Sequence, residues 1–399
     1  MKKFFAVIRN TFIVLLLLYV TSKFVDIQIE GVKLDTIYET AAKQTYKFFD
    51  SLVDQIKSEP EVTDFRISYV EEDTYRFDLV IKYVDENELV SIKISDKTYT
   101  EFNVVKDKKT IKVSFTDEIQ FEPNVPNKTF NIQSIEYMRN KAVKTLESSV
   151  SGNAFKSLDM AIVEEKKQSV VGIHSCNRIG FRTECVAWGS GVIYDSTQET
   201  IDPLIGDDYI EYTYYILTNY HVVHGYSIFD IYYDSARMDT QATLVGTYTE
   251  KTDIAIVKLI SRETLVVLDD DQFTTKTAVP IYLNQTVFSV GSPGGVQNFN
   301  QYKPGFIKDL DYSVFLKPDP EKPSTLCATG CDSFSTTAAL GQGSSGGAMF
   351  DTVGNLIGIH FAGDKDNLES YEVHMTTVLK AIDEIMATET ASNDNSYIN

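Results

Sequence analysis

The C-terminal part of the chain, from about residue 165, alternates between short apolar runs and turns rich in glycine. Short apolar runs bounded by turn residues are typical of β-strands, and many of them in succession are typical of a sandwich or barrel. We therefore predict a mainly β domain over residues 165–388, which ends in a helix over Thr377–Met386, and a polar tail over residues 389–399. The predicted strands are Val170–His174, Cys185–Trp188, Gly191–Tyr194, Tyr214–Thr218, Ile228–Tyr233, Ala242–Tyr248, Ile254–Leu259, Val287–Val290, Gly354–Ile359 and Val373–Met375.

The preceding region, residues 30–150, mixes two kinds of pattern. Apolar residues recur at helical spacing over residues 33–58 and again from Ile132 to Val150, which predicts two amphipathic helices. Alternating stretches between them predict a β-meander. We predict a small α+β domain, which is either a sensor, docking or oligomerisation module or a spacer. The predicted strands of the meander are Phe65–Val70, Tyr75–Val84, Leu89–Ile94 and Thr110–Phe115.

The N-terminus carries Lys2, Lys3 and Arg9 ahead of an apolar run, Phe12–Val20. Basic residues before an apolar segment place the N-terminus inside and the rest of the chain outside. Residues 1–29 therefore predict a hydrophobic helix that acts as a signal anchor, with a cleaved signal peptide as the alternative. Either would put the body of the protein outside the cytoplasm, at the cell membrane in the first case and secreted in the second.

The composition of the chain limits the classes of partner and of chemistry that we expect. A chain of 399 residues suggests about two or three domains. Its net charge of −20 disfavours a nucleic-acid partner, since nucleic-acid binders present a basic surface. The spacing of the four cysteines does not match a usual zinc site, and nothing else indicates a metal or cofactor. Cys176 with Cys185, and Cys327 with Cys331, flank short loops and suit structural disulfides, with redox regulation as the alternative for the second pair.

Three segments carry candidate chemistry. His221 follows the predicted strand Tyr214–Thr218, Asp253 opens the strand Ile254–Leu259, and Gly341–Gly347 holds the adjacent serines Ser344 and Ser345. Taken singly, these have ordinary interpretations: a structural histidine, a turn aspartate and a flexible Gly/Ser loop. In the order His–Asp–Ser within one β-rich domain, the three types predict a nucleophilic serine activated by a histidine that an aspartate orients.

The short sequence motifs around these residues resemble those of the chymotrypsin-fold serine proteases, and within that family those of the HtrA (Deg) branch. The resemblance rests on Gly189–Ile193, Leu217–Val223, Asp253–Ala255, Val290–Gly294, Thr336–Gly347 and Gly354–Ile359. It implies a double β-barrel with His221, Asp253 and Ser345 as the triad. Ser345 is chosen over Ser344 by the family pattern Gly-x-Ser-Gly-Gly. The N–H groups of Gly343 and Ser345 would form the oxyanion hole.

The resemblance also indicates where a substrate would bind. Ala338, Ala339 and Leu340 would be walls of the specificity pocket. The strand edge at His360, Phe361 and Ala362 would pair with the substrate backbone. Ala339 stands where trypsin-like specificity needs a carboxylate, so we expect small or medium apolar side chains in the pocket. For His360 and for His224, a structural role is the alternative. Ser344 in place of aspartate disfavours zymogen activation of the trypsin type.

These features together predict an exported, membrane-tethered serine endopeptidase that acts on unfolded or cell-envelope polypeptides, in the manner of protein quality control. Because few residues follow Gly363, we expect no C-terminal PDZ domain. The alternatives are an inactive, protease-like scaffold and a membrane-anchored sensor in which residues 30–150 are the main functional part. The chain is either a monomer or a homo-oligomer.

Overall fold

The structure, a computed structural model, divides into two compact units: residues 1–119 with 129–154, and residues 120–128 with 155–399. Each is described by itself. The residues that the structure describes are 28–29, 32–33, 59–107, 110–139, 141–180, 182–202, 208–315, 326–327, 329–364, 366 and 368–395. Residues 1–27 of the predicted N-terminal segment and residues 34–58 of the next predicted helix lie outside them. Within the described residues, no helix has both the length and the apolar character needed to span a membrane.

The first unit is built from antiparallel sheets. One has four strands in the order β3-β4-β8-β7, one has five, with β10-β9-β5-β6 in sequence and β11 paired to β9, and β1 pairs with β2. The strands are β1 Gln28–Ile29, β2 Val32–Lys33, β3 Glu61–Glu71, β4 Thr74–Lys82, β5 Leu89–Ile94, β6 Lys97–Tyr99, β7 Asn103–Asp107, β8 Thr110–Glu118, β9 Asn127–Arg139, β10 Ala142–Glu147 and β11 Ser151–Phe155.

The alternation of buried and exposed residues along the strands explains the core of the first unit. Along β4, Tyr75, Phe77, Leu79 and Ile81 are buried at every second position, as one buried face of a sheet requires. Phe77 stacks on Phe115 of β8 with ring centroids 5.1 Å apart. Strands form at all four predicted positions, but the predicted meander is wrong, because β4 pairs with β8 and β5 belongs to the other sheet.

The helix predicted from Ile132 to Val150 is wrong, because this segment forms β9 and β10. Ile132 and Ile135 are both buried although they are three residues apart, which suggested a helix. The register against β5 shows the cause: Lys93 pairs with Ser134 and Ile94 with Ile132, which leaves Gln133 as a β-bulge. A bulge inserts one residue and so puts positions three apart on the same face. No helix occurs in the described residues of 59–154, so the α+β prediction is not met there.

The second unit contains two closed, six-stranded antiparallel barrels, which agrees with the predicted double barrel. The ring orders are β12-β13-β14-β17-β16-β15 and β18-β19-β20-β23-β22-β21. The first barrel comprises β12 Val170–Ile179, β13 Arg182–Ile201, β14 Tyr209–Thr218, β15 Ile228–Tyr233, β16 Ala236–Tyr248 and β17 Ile254–Ser261. The second comprises β18 Thr286–Gly291, β19 Gln301–Val314, β20 Cys331–Thr336, β21 Ala348–Asp351, β22 Leu356–Asp364 and β23 Glu369–His374.

The described helices of the second unit are α1 Met160–Lys167, α2 Tyr220–Val223, α3 Gln272–Thr275, α4 Met375–Asn395 and the 3₁₀ turn Val296–Asn298. Helix α4 continues through residues 389–395, where the sequence predicted a polar tail. It follows the second barrel but returns to the first: a Cβ added at Gly246 of β16 would lie 2.8 Å from Ile385 of α4. The apolar side of α4 therefore ties the two barrels together through a shared core.

Disulfides join Cys176 to Cys185 and Cys327 to Cys331, as the spacing suggested. The first bond links β12 and β13 at residues that face each other in the ladder.

Candidate active site

His221 lies on the short helix α2, which begins directly after β14. Its side chain is 39% exposed, whereas Asp253, just before β17, is fully buried. Asp253 accepts two hydrogen bonds from this residue: the backbone N–H of His221 lies 3.0 Å from Oδ1, and ring Nδ1 lies 2.5 Å from Oδ2. Asn219 adds a third link, since its Nδ2 donates to the carbonyl of Asp253 at 2.8 Å. The carboxylate therefore holds both the backbone and the ring of His221 in place.

The contact with Asp253 changes the acidity of the imidazole. Burial on its own would lower the pKa of His221, because burial penalises the charged form. The negative charge of Asp253 and its hydrogen bond to the ring outweigh that effect and raise the pKa of His221 above its ordinary value. Since Nδ1 donates to Asp253, the proton-accepting nitrogen of neutral His221 is Nε2.

Ser345 lies in the loop Gly341–Gly347 between β20 and β21. Gly343 and Gly346 take positive φ angles of 98° and 84°, a region that favours glycine. A Cβ at Gly346 would lie 2.1 Å from the carbonyl oxygen of Ser190, so only glycine fits there. Ser344 is buried, and its Oγ donates to the carbonyl of Gly341 at 2.5 Å. Ser345 is only partly buried and lines an open cavity, the arrangement that a nucleophile needs.

Ser190 of β13 connects this loop to the first barrel. Its N–H donates to the carbonyl of Ser345 at 2.7 Å and its Oγ to the carbonyl of Gly343 at 2.9 Å. Its own carbonyl accepts from Thr218 Oγ1 at 2.7 Å, at the end of the strand that leads to His221. A Cβ added at Gly189, the preceding residue, would lie 2.6 Å from Val222 and 3.2 Å from the carbonyl oxygen of Ser345. The serine loop of one barrel thus docks beside the histidine helix of the other.

The pattern of backbone hydrogen bonds in the loop singles out two N–H groups. The N–H groups of Ser344, Gly346 and Gly347 donate to carbonyls of Gly341, His360 and Ser344. Those of Gly343 and Ser345, the predicted oxyanion hole, donate to no described residue. Two unpaired N–H groups, one on Ser345 itself and one two residues before it, are what a developing oxyanion requires. No hydrogen bond among the described residues joins Ser345 Oγ to His221.

The cavity beside Ser345 has a volume of about 340 Å³ and is lined in part by Ala339, Leu340, His360 and Ala362. Ala338 and Phe361, also predicted to contact substrate, do not line it. Their side chains are buried in apolar clusters of the second unit. Phe361 lies at the irregularity of the β22–β23 ladder between His360 and Ala362, and its side chain packs in the apolar cluster rather than in the cavity. His224 lies elsewhere, exposed and stacked on Tyr220.

Sequence reasoning singled out neither Ser190 nor Trp188 as a separate site residue. Trp188 Nε1 donates to the carbonyl of Ser292 at 3.1 Å, and its ring lies 3.2 Å from the Cβ position of Gly343. The available signal was that the chain's one tryptophan stands next to the word Gly189–Gly191. Among the described residues, Cys176, Cys185 and Asp230 cluster as potential metal ligands, but the disulfide leaves the sulfurs without a thiolate.

With this geometry in view, comparison with known proteins points to one class. Residues 189–359 match the family model described as the trypsin-like peptidase domain. That segment contains the His221–Asp253 pair and the Ser345 loop.

Particular relatives can then be named. The chain is similar to the serine protease Do-like HtrA of Lactococcus lactis subsp. cremoris, at 32% identity over 171 residues, which is 43% of this chain and 36% of that protein. It is 28% identical to the serine protease Do-like HtrA of Bacillus subtilis over 37% of this chain and 30% of that protein. The solved structure of a serine endoprotease from Yersinia pestis aligns with a TM-score of 0.41 at 20% identity, covering 59% of this chain and 68% of that one. The chain spans about a third of the length of these curated relatives.

Proposed function

We propose that this chain is a serine endopeptidase in which Ser345, His221 and Asp253 carry out the reaction. The observation that carries the proposal is the docking of the Ser345 loop onto Ser190, whose carbonyl accepts from Thr218 at the end of the strand that leads to His221. The match of residues 189–359 to the trypsin-like peptidase domain supports the same class of chemistry.

Each residue has one role in the proposed mechanism. Ser345 Oγ attacks the carbonyl carbon of a peptide bond, and His221 Nε2 takes its proton. The N–H groups of Gly343 and Ser345 stabilise the oxyanion that forms. His221 then passes the proton to the leaving amine, and water, activated by the same nitrogen, releases the acyl group from Ser345. Asp253 keeps Nδ1 protonated and compensates the imidazolium while it exists, which fits the raised pKa of His221.

The substrates in this proposal are polypeptides, either unfolded or belonging to the cell envelope. We also propose that residues 1–29 carry the domain out of the cytoplasm and hold it at a membrane. That part rests on the basic and apolar pattern of the segment alone. The named relatives are serine proteases by name, and we extend that activity to this chain as part of the proposal.

A fluorophosphonate probe tests the nucleophile directly in the full-length chain. We expect the wild type to be labelled and Ser345→Ala not to be. Ser344→Ala is the discriminating variant: it should still be labelled, more slowly, because the loop loses the hydrogen bond between Ser344 Oγ and Gly341. Cleavage of a reduced and alkylated protein should follow the labelling.

Labelling of Ser345→Ala, or its continued cleavage of the unfolded substrate, would show that another residue is the nucleophile. Failure of every form to label or cleave would instead favour an inactive, protease-like binding protein.

A further inference from the structure

One hydrogen bond sets the direction of the N–H of Gly343, which is one of the two proposed oxyanion donors. The preceding carbonyl, that of Gln342, accepts from the N–H of Gly294 at 2.8 Å. A trans peptide is planar, and its C=O and N–H point in opposite directions. With the carbonyl held by Gly294, the N–H of Gly343 points away from Gly294, and it donates to no described residue. The bond between Gly294 and Gln342 therefore leaves this N–H available for the oxyanion.

The peptide between Gln342 and Gly343 needs this support because a glycine does not fix its own backbone. Gly343 has a φ of 98°, but glycine adopts positive and negative φ about equally well. Rotation of the peptide plane would turn the N–H away from the substrate and put the carbonyl oxygen of Gln342 in its place. The oxyanion would then lose a donor and face a second oxygen.

The donor Gly294 belongs to a short turn, Ser292–Gly295, which follows β18. Two successive glycines of the turn, Gly294 and Gly295, have φ angles of 76° and 92°. Within the turn, the N–H of Gly295 donates to the carbonyl of Ser292 at 3.2 Å. Because glycines have more conformational freedom to lose than other residues, a turn of this composition depends on contacts from outside to keep one geometry.

Those contacts come from β13 of the first barrel. Trp188 Nε1 donates to the carbonyl of Ser292 at 3.1 Å, and Ser190 Oγ accepts from the N–H of Ser292 at 2.9 Å. The indole also covers Gly295, whose Cβ position lies 3.3 Å from ring atom Cδ2. Trp188 and Ser190 are two residues apart in the strand, so their side chains share one face. That face of β13 holds the turn.

The same indole contacts the oxyanion loop itself. A Cβ at Gly343 would lie 3.2 Å from Trp188 Cδ1. It would also lie 2.8 Å from the carbonyl oxygen of Ser292 and 2.8 Å from the nitrogen of Gly294. Gly343 is therefore enclosed by the ring and the turn, and a displacement of either changes the surroundings of its N–H.

The indole ring is fixed in turn by the first barrel. Its centroid lies 5.2 Å from that of His174 on β12 and 5.0 Å from that of Tyr232 on β15. A Cβ at Gly172 of β12 would lie 2.8 Å from Trp188 Cζ2, so the glycine leaves the space that the indole fills. A ring packed in this way can support the turn without moving itself.

We propose that Trp188 is a positioning residue for the oxyanion hole. Its indole holds the Ser292–Gly295 turn, and Gly294 of that turn holds the carbonyl of Gln342, so that the N–H of Gly343 faces the oxyanion. The inference rests on the proposed function. It gives the first barrel a part in stabilising the oxyanion, although both donors belong to the second barrel. The indole contacts no reacting atom and acts through the turn and Gly343.

Kinetics with two peptides that differ only at P1, the residue before the cleaved bond, separate this role from substrate recognition. The peptides carry Leu or Gln at P1 and are tested with the full-length chain. Trp188→Ala should lower kcat by about 10- to 100-fold, less than the loss of a whole oxyanion donor, because the N–H remains but is no longer held. KM should change little. The loss should be the same for both peptides, since an oxyanion forms on the carbonyl of every substrate.

A peptidyl trifluoromethyl ketone with P1 Leu reports on the oxyanion hole directly. Ser345 Oγ bonds to the ketone carbon, its proton passes to His221, and the ketone oxygen becomes an oxyanion. The pH at which half of the adduct is ionised can be read from the ¹³C resonance of that carbon. In Trp188→Ala it should rise by about one to two pH units, which corresponds to the same 10- to 100-fold change. A loss of packing alone does not alter the ionisation of the folded adduct.

Two further variants calibrate the effect. Trp188→Phe keeps an aromatic ring and removes the N–H that Ser292 accepts, so its kcat should lie between those of the wild type and Trp188→Ala. Val186→Ala, at an exposed position of the same strand, is the matched control and should leave kcat and the ionisation of the adduct unchanged. Fluorophosphonate labelling of Ser345 should persist, more slowly, in both Trp188 variants.

The proposal is overturned if Trp188→Ala keeps the wild-type kcat, or if its adduct ionises at the wild-type pH. It is also overturned if the loss lies in KM or is confined to one peptide, because Trp188 would then be a wall of a substrate subsite. Should Trp188→Ala fail to fold, Trp188→Phe decides by the same measurements. If the wild type neither labels nor cleaves either peptide, the proposed function fails and this inference fails with it.

Discussion

His221 and His360 each direct Nδ1 toward a buried carboxylate, but the two arrangements differ in contact and exposure. His221 touches Asp253 directly at 2.5 Å, and its side chain is 39% exposed. His360 reaches Glu372 through Ser370 and is 9% exposed. A direct contact in a more open position suits an imidazole that gains and loses a proton in each cycle.

The comparison also shows how each barrel contributes. The first barrel supplies His221 and Asp253 from strand ends, and the second supplies Ser345, His360 and the cavity. Neither barrel by itself contains all the residues of the proposed site.

The sharpest test of the difference replaces each carboxylate by its amide. Asp253→Asn should reduce kcat about 10⁴-fold, because the amide no longer holds His221 in the tautomer that leaves Nε2 free. Glu372→Gln should change kcat for a peptide with P1 Gln by less than about 10-fold, because Glu372 is buried behind His360 and makes no hydrogen bond to the proposed triad. Steady-state kinetics on that peptide measure both effects. Equal losses in the two variants would contradict the division of roles.

A smaller effect is expected where the two barrels meet. Ser190→Ala removes the hydrogen bond to the Gly343 carbonyl and leaves the N–H of Ser292 without the acceptor 2.9 Å away. We expect the free energy of unfolding to fall by about 1–3 kcal/mol, the usual range for an unsatisfied buried donor. We also expect kcat to fall more than KM changes. Thr197→Ala, at an exposed position of the same strand, is the control for both denaturation and kinetics.

The smallest expected effect is a shift of the pH profile of kcat/KM. Catalysis needs neutral His221, so kcat/KM should rise with pH through the pKa of this residue. Because Asp253 raises that pKa, the midpoint of the acidic limb should lie above about 6.5, the value of an unperturbed histidine. A pH profile with the P1 Gln peptide measures it, since the P1 side chain of this substrate does not titrate. A midpoint below the unperturbed value would mean that burial outweighs Asp253.

Much of the strand content followed from alternation, as the buried positions of β4 illustrate. The same rule failed at β9, where the bulge at Gln133 put Ile132 and Ile135 on one face and imitated a helix. A bulge depends on the register with the partner strand, and local sequence does not contain that register. The continuation of α4 beyond Met386 was missed for a related reason, since its polar composition suggested a tail, whereas Glu389 accepts a hydrogen bond from Lys258 of the first barrel.

The sequence by itself determined the residue types of the candidate site and their order: His221 after one strand, Asp253 before another, and Ser345 in a glycine-rich loop. These are local properties, because a strand end, a turn and a positive φ are each written in a few adjacent residues. Only the tertiary structure decided that Ser190 joins the loop to the first barrel and that Ser370 and Glu372 stand behind His360. Ladder register and barrel closure place those groups, and both are set by pairing between distant segments.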